Sequence, residues 1–198
     1  MYNWKFSAKS LGLATAFVLV ASIAQAVTFT IDAANSSVTL TPTSSGGNAI
    51  AASLASGLDG TTFDLINPGD SAPIDFLTFS SSCFICADSY DISATLAFDP
   101  PSVSATGSGT GGAVVFFGSI IGGNLSWTSG VPTQVDIGGG GLATIDFQGG
   151  TGILLGHSTT TSAKVTLDVA PALVPLPASA LLLLAGLGGL AAVRRRKS

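Results

Sequence analysis

The stretch Tyr90-Asp91-Ile92-Ser93-Ala94-Thr95-Leu96-Ala97-Phe98 decides the fold. Tyr90, Ile92, Ala94, Leu96 and Phe98 fall on one side of an extended chain, and Asp91, Ser93, Thr95 and Ala97 fall on the other. A period of two gives a strand one apolar face; a helix would scatter the same residues around its circumference. The alternation recurs on both sides of this stretch. Val27, Phe29 and Ile31 alternate with Thr28, Thr30 and Asp32; Ala143, Ile145 and Phe147 with Thr144 and Asp146; Val165, Leu167 and Val169 with Lys164, Thr166 and Asp168. Further strands are expected over Val38–Leu40, Thr62–Ile66, Ile74–Phe79, Ala113–Ile121, Asn124–Thr128 and Gln134–Ile137. Turn residues separate them at Asn67-Pro68-Gly69-Asp70, Asp99-Pro100-Pro101, Gly107–Gly112, Gly138–Gly141 and Gly149-Gly150. Asn48–Leu58 is rich in Ala and Ser and fits a short helix or an irregular strand. No repeat of fixed period is visible. About ten short strands at this spacing predict an all-β body over residues 27–170. The expected form is an antiparallel β-sandwich, with a jelly roll as one variant.

The two ends read differently. Lys5 and Lys9 precede an apolar run, Leu11–Ile23, of 13 residues. Ala24-Gln25-Ala26 follows as an A-x-A site, so residues 1–26 are expected to form a signal helix removed before Val27. At the other end, Pro-containing residues 171–177 lead into Ala178–Val193, an uncharged span closed by Arg194-Arg195-Arg196-Lys197-Ser198. The 16 residues of that span make a helix of roughly 24 Å against a hydrocarbon core of about 30 Å. Pro175 and Pro177 hinder its extension backwards. A transmembrane helix over 178–193 is therefore short, and the basic residues 194–198 favour a cytoplasmic tail. With both ends so arranged, the body is expected outside the cytoplasmic membrane.

Charge follows the same division. Six of the seven basic residues lie in the terminal segments, and the body keeps only Lys164. All eleven acids are Asp, and all lie in the body, which carries no Glu and no Arg. One Lys against eleven Asp leaves the body near −10, although the whole chain is at −4. A surface of that sign repels nucleic acid and anionic lipid and attracts cations. Nucleic acid is thus not an expected partner.

The tail resembles the PEP-CTERM sorting signals of Gram-negative bacteria, in the variant that begins Val174-Pro175-Leu176-Pro177-Ala178. The resemblance rests on that pentapeptide, the Leu/Gly/Ala-rich span and the basic stop Arg194, Arg195, Arg196 and Lys197. It covers about the last 25 residues, together with a signal peptide of the kind such proteins share, in which Ala24 and Ala26 mark the cleavage site. It implies recognition and cleavage at 174–178 by an exosortase, a membrane cysteine protease. It also implies a link to exopolysaccharide and biofilm. No LPxTG motif of the sortase type occurs.

Motifs within the body carry little catalytic chemistry. Gly107-Ser108-Gly109-Thr110-Gly111-Gly112 satisfies GxGxxG, but a dinucleotide site needs that run to open a helix. The following Val114-Val115-Phe116-Phe117 reads as strand, so the glycines are expected to form a hairpin loop. Gly156-His157-Ser158-Thr159-Thr160 resembles the start of a nucleophile elbow with Thr160 in place of the last Gly. His157 is the single His of the chain and is adjacent to Ser158, whereas a catalytic triad takes its base from a separate segment. Cys83-Phe84-Ile85-Cys86 is expected to close a small disulfide loop in an oxidising compartment; a redox pair or free thiols are the alternatives. Two Cys and one His do not complete a zinc site. Asp88, Asp91 and the acids of Asn67–Asp75 supply hard oxygen ligands that suit a structural calcium, though no EF-hand spacing is present. Asp also favours turns on its own account. Tyr90 and Trp127 fit a sugar-stacking platform or, more simply, the core.

The expected protein is therefore exported and non-enzymatic, belongs to the cell envelope or extracellular matrix, and needs no catalytic cofactor. Its expected partners are the Sec translocon, signal peptidase, an exosortase-type protease and extracellular polysaccharide. It would be held in the membrane transiently by its C-terminal helix and then reside at the envelope surface or outside the cell. The alternatives are a carbohydrate-binding or calcium-stabilised adhesive module and, further off, a secreted hydrolase.

Overall fold

The computed structural model describes residues 26–43, 49–152 and 158–172. The expected signal helix, sorting motif, transmembrane helix and basic tail lie outside the described residues, apart from Ala26. Among the described residues there are twelve strands and no helix.

Tyr90–Phe98 forms most of β6 (Ile85–Phe98), and Tyr90, Ile92, Ala94, Leu96 and Phe98 are all buried, as the alternation requires. On its reverse face Ser93 is exposed and Thr95 half-buried, while Ala97 is covered by the chain near Ser36. β6 belongs to a five-stranded antiparallel sheet. Its other members are β2 (Ser37–Pro42), β7 (Val103–Phe116), β8 (Ser119–Ser129) and β11 (Gly150–Gly152), in the order β11-β8-β7-β6-β2. A second sheet comprises β3 (Ile50–Leu54), β5 (Ser71–Ser81), β12 (Ser158–Val169), β10 (Gly141–Phe147) and β9 (Thr133–Gly138), in the order β3-β5-β12-β10-β9. A two-stranded ribbon pairs β1 (Val27–Thr30) with β4 (Thr62–Leu65).

The arrangement is sandwich-like. Both large sheets contribute to one apolar core, in which Phe79 of β5 stacks on Tyr90 of β6 with ring centroids 6.0 Å apart. Trp127 of β8 meets Phe147 of β10 edge-on at 5.1 Å. The ribbon closes one end, where Phe29 stacks on Phe63 at 5.3 Å and meets Phe98 edge-on at 5.5 Å. Ser36 Oγ donates to the Asp32 carbonyl and accepts from the Ala97 amide, so this buried hydroxyl ties the end of the ribbon to β6. β6, β7 and β8 form a meander of three consecutive strands, rather than the interleaved Greek keys of a jelly roll.

Three expectations need correction. Gly107–Gly112 is no hairpin loop but the middle of the central strand β7, paired with β6 on one side and β8 on the other. Gly107, Gly109 and Gly111 point inward, between Ala105 and Ala113. A Cβ on Gly111 would run into the Tyr90 ring, and one on Gly107 would lie 3.0 Å from Phe147. The glycines thus make room for large aromatics arriving from neighbouring strands, which is the other reason glycine enters a strand. Next, Ala113–Ile121 is not one strand. It folds back at Phe117-Gly118, where both residues have positive φ (51° and 74°), the type I′ conformation of a two-residue hairpin. Lastly, Gly150 belongs to the short strand β11, beyond a connection of Gln148 and Gly149. The ambiguous segment Asn48–Leu58 contains the strand β3. In β5 the alternation breaks at Phe76 and Leu77, which are both buried because Phe76 is the extra residue of a β-bulge opposite Thr161/Ser162.

Candidate functional site

Of the residues expected to act in sorting, Ala24, Val174, Pro175, Leu176, Pro177, Ala178, Arg194, Arg195, Arg196 and Lys197 lie outside the described residues. Ala26 is exposed and directly precedes β1. At the other end β12 stops at Val169, and the Ala172 amide donates to the Gly139 carbonyl in the β9–β10 turn.

Cys83 and Cys86 are joined by a disulfide, with Cα atoms 6.2 Å apart. The bond spans the crossing from β5 in one sheet to β6 in the other. The Ser81 hydroxyl donates to the Gly118 carbonyl, and the Gly118 amide donates to the Phe84 carbonyl, so the crossing is also fastened to the β7–β8 hairpin. β structure surrounds the cysteines on both sides, without the helix N-terminus that lowers a redox thiol's pKa.

The proposed calcium ligands do not converge. Asp88 points into the core side of β6, where its carboxylate accepts the Ala49 amide at 3.1 Å. Asp91, three residues on, is exposed on the opposite face, since an odd separation on a strand reverses the side. Of the two acids in Asn67–Asp75, Asp75 is exposed on β5, and Asp70 accepts the amides of Asn67 (2.8 Å) and Ile66 (3.1 Å). Those backbone donors, Asn67 first, hold its carboxyl below the usual range. Asp32 is lowered likewise, chiefly by the Asn35 side chain. Asp168 pins three strands, accepting from Thr144 (2.6 Å) and Gln134 (2.9 Å). Among the described residues no three His, Cys or Asp side chains gather as metal ligands.

A feature shaped like a small-molecule site was not visible in the sequence. An open cleft of about 270 Å³ lies between the sheets. Phe79, Tyr90, Ile120 and Leu125 supply its apolar floor, and Asn124, Gln148 and the β12 residues Thr159–Ser162 supply a polar rim. Gly112, Gly123, Gly149 and Gly150 contribute backbone to its lining. The Thr/Ser run hid this site because it has no apolar alternation to mark it as strand. The described lining contains no Asp, Lys, Cys or His. Its single titratable group, the Tyr90 phenol, is pushed above its ordinary value by burial. The phenol is therefore neutral near pH 7 and offers hydrogen bonds rather than a base. Such a cleft can hold a neutral ligand with an apolar face. Ser158 begins β12, exposed and paired with Ser80, and His157 lies outside the described residues.

The chain matches no protein-family model, no curated protein and no solved structure.

Proposed function

We propose that the chain is an exported, non-enzymatic protein of a Gram-negative cell envelope or extracellular matrix, delivered by two removable terminal signals. The observation that carries this reading is the order at the C-terminus: Val174-Pro175-Leu176-Pro177-Ala178, then an uncharged span, then Arg194–Lys197. The A-x-A site at Ala24–Ala26 complements it. Sec and signal peptidase deliver the chain, and an exosortase-type protease cuts at the pentapeptide. Cuts at these two places fall outside every described strand, since β1 begins at Val27 and β12 ends at Val169. The disulfide suits an oxidising compartment. The test is a Pro175→Ala/Pro177→Ala chain followed by cell fractionation. It is expected to accumulate uncut in the inner membrane while the unsubstituted protein leaves it. Equal release of both would remove the pentapeptide from the account.

The cleft favours a second reading, carbohydrate binding by the exported body. Its apolar floor and hydroxyl rim suit a neutral sugar. A thermal shift with the host's own polysaccharide, lost on Asn124→Leu, is the expected result. No shift would sink it.

A further inference from the structure

We propose that two copies of this protein associate head to head through the tip of the β6–β7–β8 meander. The tip is apolar and exposed. Phe84, Ile85 and Phe117 are 61–62 % exposed, and Val114, Phe116 and Ile121 are 36–47 % exposed. They are contiguous: Ile85 is opposite Phe116 in the strand register. Phe84 and Phe117 meet edge-on at 5.0 Å, and Phe116 and Phe117 at 4.4 Å. With about 150–250 Å² for a whole aromatic side chain, these fractions amount to roughly 600 Å² per copy. That is the upper end of what a monomer leaves in water. Two such faces together reach about 1,200 Å², where stable interfaces begin.

Phe117 carries the strongest sign that the patch has a task. Its φ of 51° is uncommon for any residue but Gly, Asn or Asp, and the type I′ turn it occupies favours Asn-Gly. Neither the turn nor the core calls for an aromatic there.

The occupant follows from charge and direction. β7 and β8 contain no charged residue. Of the two acids on β6, Asp88 is buried, and Asp91 lies six positions from Ile85, about 20 Å along the strand. Asp64 on the ribbon and Asp70 and Asp99 in turns lie at the far end, while Asp75 and Asp146 lie along β5 and β10, away from the tip. Bodies near −10 repel one another, and head-to-head contact keeps the acidic ends farthest apart. β12 runs from Ser158, beside Ser80 at the tip end, to Val169, so the chain leaves the domain at Ala172 from the opposite end. A copy tethered by its tail therefore presents the tip away from its own membrane, towards another copy. The association needs the body alone, whether or not the tail is cut.

Photo-crosslinking of the full chain exported in a Gram-negative host tests this, with a benzophenone amino acid at position 84. A covalent homodimer is expected. It should fall at least tenfold on Phe117→Asn, and a probe at the exposed, far-end Val169 should give none. Phe117→Asn restores the favoured turn residue, so its purified thermal midpoint should match or exceed the unsubstituted chain's, which separates lost association from lost folding. No homodimer, a homodimer indifferent to Phe117→Asn, or crosslinks to lipid or to a different protein would each overturn the proposal.

Discussion

At the scale of single residues, Asp32, Asp59, Asp70, Asp88 and Asp136 accept backbone amides of their own domain. Asp70 closes the Asn67–Asp70 turn by accepting two amides, and Gly69, at φ 95°, sends its amide to the Leu167 carbonyl. Because the folded carboxyl is held below its unfolded value of about 4, its contribution is complete above that value. It disappears as pH falls through the lower folded value. Asp70→Ala is therefore expected to destabilise the protein at pH 7 in urea titrations, with the gap to the unsubstituted protein closing at an acid pH below the lowered folded value. A gap of the same size at both pH values would contradict the assignment. The glycines of β7 make a second residue-scale prediction. A Cβ on Gly109 would overlap the Ser126 carbonyl oxygen, and one on Gly111 the Tyr90 ring. Gly109→Ala and Gly111→Ala should each cost about 1–3 kcal/mol in chemical unfolding. Outward-facing Gly112, whose Cβ would meet only the Asn124 side-chain oxygen at 3.1 Å and the Asp88 carbonyl at 3.4 Å, should accept Ala within about 0.5 kcal/mol.

At the scale of elements, the sequence was most legible where one face of a strand is buried and the other wet. Tyr90–Phe98, Ala143–Phe147 and the ribbon strand at Val27 stand out for that reason. Legibility failed where the inward residue is glycine or hydroxylated. β7 carries no apolar alternation through Gly107, Gly109 and Gly111, because its share of the core volume is filled by Tyr90 and Phe147. The Thr159–Ser162 half of β12 lines the open cleft and needs no apolar side chains. The Phe117-Gly118 hairpin lacks the usual Asn-Gly or Asp-Gly signature, so an apolar run concealed a reversal. The cleft and the aromatic tip, both products of strand pairing across the molecule, were invisible for the same reasons. The Cys83–Cys86 disulfide belongs at this scale too. It closes a loop with a sequence separation of 3, so loop-closure entropy limits its contribution to about 2 kcal/mol. Reduction should lower the unfolding midpoint only modestly and leave the far-ultraviolet β spectrum unchanged. Complete unfolding on reduction would show that the crossing from β5 to β6 depends on the bond.

At the scale of the whole molecule, charge and topology point the same way. Nearly all positive charge sits in terminal segments, and the body between them carries eleven Asp against Lys164. Charge is uneven along the domain: Asp64, Asp70 and Asp99 lie on the ribbon and the turns beside it, Asp75, Asp91 and Asp146 lie along the sheets, and an uncharged aromatic tip lies at the end away from Ala172. The account holds that the body is the part that persists, with its two addresses removed. The most direct test is the intact mass of the protein recovered from outside the producing cells, with peptide mapping of both termini. The account predicts a chain beginning at Val27, ending at or near residues 174–178, with Cys83 and Cys86 oxidised. A recovered chain whose peptides run through Arg194–Lys197 would contradict it.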